Sequence, residues 1–548
     1  MKLAEAQNEI TTQYLLPERI VLSENAQNAN VLLDEHPRQA ILGDVPICTL
    51  KKNGFILLDF GCEFQGGVDI VVQALKNSST KLRLVFGESV SETLSSIGEK
   101  NATNDHALRD FTLDIQNMSH IESGNTGYRF LKLEAQCGEI SVSSVQGISR
   151  FRNLEYLGEF YCSDERLNEI WKVGARTVHL NMQEYLWDGI KRDRLVWIGD
   201  MHPETATISM VFGETEVVKK SLDLVRDTTP PDGFMNGFAS YSMWWIKIQR
   251  DLYWDSGNLE YLKQQESYLA AMLKNALSHI DKNGLCDIPE RFVEWSNRDT
   301  PNEEAAFYAM LIVGLTAGAE LVDILGGSST LSRQCRTAID KIKARHFELF
   351  GNKQAAAMIG LSGLRDIKQV CDTVIKPGGA EGLSAFWGYY VLWALAAAEE
   401  TEFALNMIRE YWGAMIDLGA TTFWEDFDIK WAENAYRIDE LPQQGKNDAH
   451  GDFGKFCYTQ LRHSLCHGWS SGPTSFLSRH VLGIKPIEAG YKKIKIEPHL
   501  GTLVYAEGKI PTPYGVITVR HERNEKDVKT DIRVPEGVEI VNDSMLVL

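Results

Sequence analysis

The chain has no Cys-x-x-Cys pair, and its nine cysteines are scattered and odd in number. That pattern indicates neither a disulfide framework nor a zinc site, and it fits reduced thiols in a cytoplasmic protein. There is no Walker loop, no dinucleotide fingerprint behind a strand and no His-Glu-x-x-His, so no nucleotide or metal cofactor is expected. A basic surplus is also missing: 56 Lys and Arg stand against 75 Asp and Glu, a formal charge of −19. Nucleic acid and anionic membranes both need a basic face and are not expected as partners, whereas a neutral small-molecule ligand fits. No apolar run follows the first lysine, and no stretch reads as long enough to span a bilayer, so the expected location is the cytoplasm. No repeat recurs at a fixed period, which weighs against a solenoid.

What is present is length, apolar content and a change of periodicity along the chain. At 548 residues, 44% of them hydrophobic, two to four domains are expected. Residues 1–160 read as β: the runs from Ile56, Lys81, Gly127 and Glu139 alternate or are β-branched, with Gly, Asn and Ser turns between them, and predict a β-sandwich. Residues 161–482 read as helical, opening with Ser163 as an N-cap. About a dozen paired helices fit an (α/α)6 toroid. Residues 483–548 return to short strands broken by Gly and Pro, a small C-terminal β-domain.

One stretch resists assignment to a helix or strand. Asp188 to Asp200, D-G-I-K-R-D-R-L-V-W-I-G-D, packs three carboxylates, three cations and Trp197 into thirteen residues, with His202 and Glu204 just beyond. Such a loop suits a polar cleft where carboxylates move protons and aromatic faces meet sugar rings; the bland reading is a surface salt-bridge cluster. The stretch resembles the signature of the bacterial α-L-rhamnosidases of glycoside hydrolase family 78, approximately D-C-P-x-R-E-R-x-G-W-T-G-D. Asp188, Arg192, Arg194, Trp197, Gly199 and Asp200 fall on it without a gap. The family's general acid is the glutamate after the first arginine, and Asp193 occupies that position here. The resemblance implies an inverting glycosidase, a toroid with its site in the loops at one end, and flanking β-domains.

Further segments join it. Gly419-Ala-Thr-Thr-Phe-Trp-Glu resembles the family's G-A-T-T-x-W-E, which puts Glu425 on the general base beside Trp424; alone, it would read as a helix start with Glu in the first turn. Ser464-Leu-Cys-His resembles S-L-N-H, placing His467 on a sugar-binding histidine and Cys466 where the family has Asn. The polar insert 431–454 before it reads as a lid or a solvated loop. Trp244 and Trp245 on one helix, and Glu294 with Trp295, are candidate ligands, with Trp245, Trp295 and Glu294 preferred; aromatics at helical spacing are more often core. Asp110 and Glu88 in the N-terminal region read as scaffold.

The expected chemistry is protonation of the glycosidic oxygen by Asp193, kept protonated by burial and by Asp188 and Asp200, with Glu425 activating water at roughly 6.5–9.5 Å. Asp188, Arg192 and Asp200 would hold hydroxyls of α-L-rhamnose or a related deoxysugar. Aspartate for glutamate withdraws the carboxyl by about 1.5 Å, so Glu204 remains the alternative acid. Two other readings stay open: a toroid enzyme for another glycan, and a catalytically weak carbohydrate-binding protein. The sequence leaves a homo-oligomer open.

Overall fold

The computed structural model describes residues 10–75, 80–525 and 527–541. The first nine residues, and Asn542 and Asp543 at the end of the last expected strand run, lie outside them. The chain forms two compact units: Met1–Asn153, His179–Leu195 and Met415–His467 in one, and Leu154–Val178, Val196–Ala414 and Gly468–Leu548 in the other. The Asp188–Asp200 stretch is therefore shared, passing from the first unit to the second after Leu195.

The first unit is built on β1 (Ile10–Leu15), β2 (Arg19–Gln27), β3 (Cys48–Leu75), β4 (Thr80–Gly87), β5 (Asp110–Ile115), β6 (Ser119–Ala135) and β7 (Ile140–Arg152). They form one sheet in the order β1-β7-β3-β6-β4-β5, with β2 against β3. Strand β3 is 28 residues long, and Cys48 near its start and Val72 near its end both pair with Val142 of β7. A single bent strand thus contributes to two stretches of pairing. The core beneath it is aromatic: Tyr128 lies 4.4 Å from Phe64 and 4.8 Å from Phe86, ring centroid to centroid. Leu180, Ile190 and Cys466, none of them on the sheet, complete that core. Burial of their side chains is what brings residues 179–195 and 415–467 onto the sheet.

The insert 431–454 is not a solvated loop. Trp431 is buried and stacks on Phe453 at 5.6 Å, Ala435–Tyr436 pairs with Asn447–Asp448, and the carbonyl of Ile438 accepts from Val90 N–H at 2.8 Å. Val90 opens the short helix α1 (Val90–Leu94).

The second unit carries most of α2 (Glu165–Asn181), then α3 (Met201–Val211), α4 (Glu216–Thr228), α5 (Ala239–Ser256), α6 (Leu259–Ser278) and α7 (Asn302–Ile324). α8 (Ser329–Lys343), α9 (Lys353–Leu361), α10 (Ile367–Val370), α11 (Gly388–Ala397), most of α12 (Thr401–Asp417) and α13 (Gly472–Phe476) follow. The periodicity found most of these and missed α9, whose K-Q-A-A-A-M-I-G-L is too uniformly apolar to show a stripe; Asn352 caps it by accepting from Ala355 N–H at 2.9 Å. Ser163 is not the cap of α2. Its hydroxyl accepts from Val504 N–H at 2.9 Å, and Asp164 takes the Arg166 N–H instead. One helix overturns the expectation about bilayer-spanning length: α7, with 23 residues and mean hydropathy 1.8, is long and apolar enough, and 83% of that window is buried inside the protein. The strand β8 (Glu159–Cys162) pairs with Tyr505–Thr512, which continues through Gly515–Arg523 to Val528–Arg533 in a four-stranded antiparallel sheet.

Candidate active site

Asp188 closes the loop that bears its name. Its N–H donates to the Leu195 carbonyl at 3.0 Å, and its carboxylate accepts from Leu195 N–H at 2.9 Å. Between these ends Gly189 forms a bridge with His467, approaching so closely that a Cβ would lie 3.0 Å from Nδ1 of that histidine. Ile190 drops into the sheet core, and its carbonyl accepts from Gly127 N–H at 2.9 Å. A Cβ on Gly127 would sit 2.5 Å from Cγ1 of Ile190. Gly127→Ala is accordingly expected to cost about 1–3 kcal/mol by overpacking, read as a lower urea midpoint at unchanged slope.

After Arg192 the chain turns through two left-handed residues, Asp193 (φ 53°) and Arg194 (φ 57°). Neither is glycine, and a short polar side chain such as aspartate tolerates that conformation best. The turn is held from outside: Arg194 stacks over Trp187 at 4.5 Å and donates to the Asn125 carbonyl at 2.9 Å. It brings the two carboxylates matched to acid and base onto one cation. Arg192 donates from Nη1 to Asp193 at 3.1 Å and from Nη2 to Glu425 in a short ion pair. His106 stands 3.5 Å from Asp193. The expected environment of Asp193 is thus corrected: it is half-buried, and a guanidinium and an imidazole face it where the acids Asp188 and Asp200 were expected.

Glu425 is buried. Its N–H donates to the Ser464 carbonyl at 2.9 Å and its carboxylate accepts from Ser464 N–H at 3.2 Å, a two-way tie between the base segment and the histidine segment. Burial pushes its carboxyl up, but Arg192, with His467 and His463 adding, holds it at about 2. His463 accepts from Asp426 N–H at 2.7 Å through Nε2, and burial keeps its pKa well below the ordinary imidazole value. Residues 419–428 are a loop, so Glu425 does not begin a helix. Trp424, expected at the ligand, has no exposed surface; it packs edge-on to Phe427 at 5.6 Å and to His463 at 6.4 Å, and supports the segment.

Beneath the loop lies a group the sequence reading did not find. Lys191 has no exposed surface; its ammonium donates to the carbonyls of Leu461 and His463, both at 2.7 Å, and pairs with Glu92 at 2.8 Å and Glu88 at 3.3 Å. Glu88 also accepts from Leu465 N–H at 2.7 Å. Burial raises Glu88 to about 7 despite Lys191, and it drives Glu63 well above the usual carboxylate range with Glu88 and Glu92 adding. Arg109 approaches Glu92 at 3.6 Å. Asp110, in contrast, is tied to Arg83 at 2.6 Å in an ordinary strand ion pair.

In the second unit, Asn236 fastens the other half of the motif, accepting from Ile198 N–H and donating to the Val196 carbonyl, both at 3.0 Å. Trp197 is half-buried beside Tyr241 (6.2 Å) and Phe238 (6.4 Å); Tyr241 in turn donates to Asp200 at 3.4 Å. Phe292 extends this wall from Phe238 (4.7 Å) to Trp295 (5.2 Å), itself half-buried. Glu294 accepts from the hydroxyls of Ser296 and Ser384, and burial lifts it to about 7 against those bonds. Glu204 is buried in the first turn of α3. Trp245 is corrected: it has no exposed surface, and its indole N–H donates to the Leu222 carbonyl at 3.3 Å. Its neighbour Trp244 lines a cavity of about 540 Å³, stacked on His202 at 4.7 Å and Tyr390 at 5.0 Å.

Two domain models match parts of the chain. Residues 483–541 match the bacterial alpha-L-rhamnosidase C-terminal domain, and residues 155–351 the bacterial alpha-L-rhamnosidase 6 hairpin glycosidase domain. A curated alpha-L-rhamnosidase from Streptomyces avermitilis is 23% identical over 89% of this chain and 48% of its own length. The chain spans about half the length of the curated relatives it matches. Among solved structures, the GH78 family rhamnosidase of Bacillus sp. GL1 superposes with TM-score 0.75 at 21% identity, over 93% of this chain and 55% of that one. A rhamnosidase from Klebsiella oxytoca with rhamnose bound gives 0.69 at 19%, over 86% of this chain and 96% of that one. Two domain profiles of the bacterial alpha-L-rhamnosidases thus match this chain, one in its helical region and one in the β region that follows it.

Proposed function

We propose that the protein removes terminal α-L-rhamnose, or a related deoxysugar, from small glycosides by an inverting general acid and base mechanism. The observation that carries this is the pairing of Asp193 and Glu425 on one guanidinium. Binding by two terminal nitrogens of Arg192 caps the separation of the two bound oxygens at roughly 8 Å, a ceiling that admits the roughly 6.5–9.5 Å of inverting pairs. Asp193 delivers the proton to the leaving oxygen, and Glu425 draws one from water. Asp188 and His467 serve the sugar hydroxyls. In this reading the paired helices close as an (α/α)6 toroid, the β regions are sandwiches, and the enzyme works in the cytoplasm on small soluble substrates.

One observation favours a second reading, a weakly catalytic carbohydrate-binding protein. A base held at about 2 by Arg192 is poorly matched to proton abstraction near neutrality. In the favoured reading the ion pair is the resting state, and a substrate hydroxyl takes over part of the guanidinium.

Release of p-nitrophenol from p-nitrophenyl α-L-rhamnopyranoside separates these. The wild type is expected to turn over; Asp193→Asn is expected to lose about 10²- to 10⁴-fold in kcat, while Glu204→Gln stays within severalfold. Proton NMR of the first-formed sugar should show the inverted anomer. If Glu204→Gln is the inactive variant, the acid lies at Glu204. No wild-type turnover at high enzyme concentration would favour the binding reading or another glycan.

A further inference from the structure

We propose that Lys191 is a positioning residue: its buried ammonium fastens the loop to the carbonyls of Leu461 and His463 and thereby sets how far the Asp193 carboxylate reaches toward Glu425. This rests on the assignment of Asp193 and Glu425 as acid and base. A lysine in a loop rich in charge would ordinarily extend into water, since burying an unpaired ammonium is strongly unfavourable. Here it is buried without exposed surface, and four acceptors surround it: two carbonyls at 2.7 Å, Glu92 at 2.8 Å and Glu88 at 3.3 Å.

Those acceptors belong to the parts that must be registered with one another. Leu461 and His463 lie within three residues before Ser464, whose N–H and carbonyl both bond Glu425. Glu88 holds Leu465 N–H at 2.7 Å. On the loop side, Arg192 follows Lys191 directly and clamps Asp193, and the left-handed turn at Asp193 and Arg194 brings the chain back toward Leu195. One ammonium therefore fixes the acid segment and the base segment to the same point. With the backbone at residue 191 drawn down in this way, an aspartate suffices at residue 193. A glutamate there would overreach by about one C–C bond, 1.5 Å. Displacements near 1 Å cost about a hundredfold in rate.

The test compares Asp193→Glu in two backgrounds. Lys191→Met alone leaves Glu88 and Glu92 without the ammonium that pairs with both and can fail to fold; Lys191→Met/Glu92→Gln removes one of those carboxylates together with the cation and is the working background. In the wild-type background, Asp193→Glu is expected to lower kcat on the aryl rhamnoside by about tenfold or more. In Lys191→Met/Glu92→Gln, itself down about a hundredfold in kcat with KM moved far less, Asp193→Glu is expected to raise kcat. A fall of equal size in both backgrounds overturns the proposal, because a purely structural lysine would not change the preferred length of the acid.

Amide hydrogen exchange over residues 188–195 and 460–466 gives a readout free of turnover. Exchange in both segments should quicken about tenfold in Lys191→Met/Glu92→Gln under conditions where the rest of the protein exchanges as before. Unchanged exchange overturns the anchoring. If the wild type hydrolyses no glycoside, the reaction reading fails and the exchange comparison alone decides the anchoring.

Discussion

Arg192→Met is expected to destabilise the protein by about 3–5 kcal/mol at neutral pH, since it strips the counter-charge from a buried carboxylate. The pH dependence carries the signature. In the wild type Glu425 titrates near 2, below the ordinary value of 4.5. A depressed carboxyl contributes stability that is fully present above its unfolded pKa and is lost as pH falls through its folded pKa. In the variant only burial acts strongly, the protonated form is favoured, and stability is lost as pH rises. The gap between wild-type and variant urea midpoints should therefore be wide near pH 7 and narrow toward about pH 3. A gap that stays constant across that interval would show that Arg192 acts by packing rather than charge.

Glu425→Gln is expected to match Asp193→Asn in its effect on turnover, a loss of about 10²- to 10⁴-fold in kcat with binding of free sugar retained. The amide keeps the carbonyl that accepts from Ser464 N–H but turns its N–H2 toward Arg192, so the fold should survive with a lowered thermal midpoint. Steady-state kinetics beside a melting curve check both halves. A variant that is active, or that is inactive only because it is unfolded, removes Glu425 from the role of base.

What could be read from the sequence follows from where the determinants lie. Asp188 to Asp200 announces itself because its charges are local, and Asp193 and Glu425 both pair with Arg192. Lys191 read as one more solvated charge because the groups that bury it, Glu88 and Glu92, lie about a hundred residues earlier at a strand end and in α1, and nothing local marks them. The choice between Trp244 and Trp245 could not be made from helical spacing, since both faces of α5 are buried and the neighbouring helix decides which ring meets a cavity. Trp424 was drawn toward the ligand by its motif, whereas the need to pack the base segment claimed its ring. Alternation found the strands but not the pairing of β8 with Tyr505–Thr512, which joins residues more than 300 positions apart.

That long reach bears on synthesis. The sheet of the first unit is complete when Arg152 has been made, yet Leu180, Ile190 and Cys466 belong to its core. At about 5–20 residues per second, a ribosome needs on the order of 15–60 s to travel from residue 153 to residue 467. Through that interval the emerging sheet holds an apolar face for which the chain has not yet supplied the cover. The loop from Asp188 to Leu195 waits as well, translated early but without the Glu425 that Arg192 pairs with. Closure of the first unit is therefore a late event for the nascent chain, and the interval before it is when association with a chaperone or with other unfinished chains competes with folding.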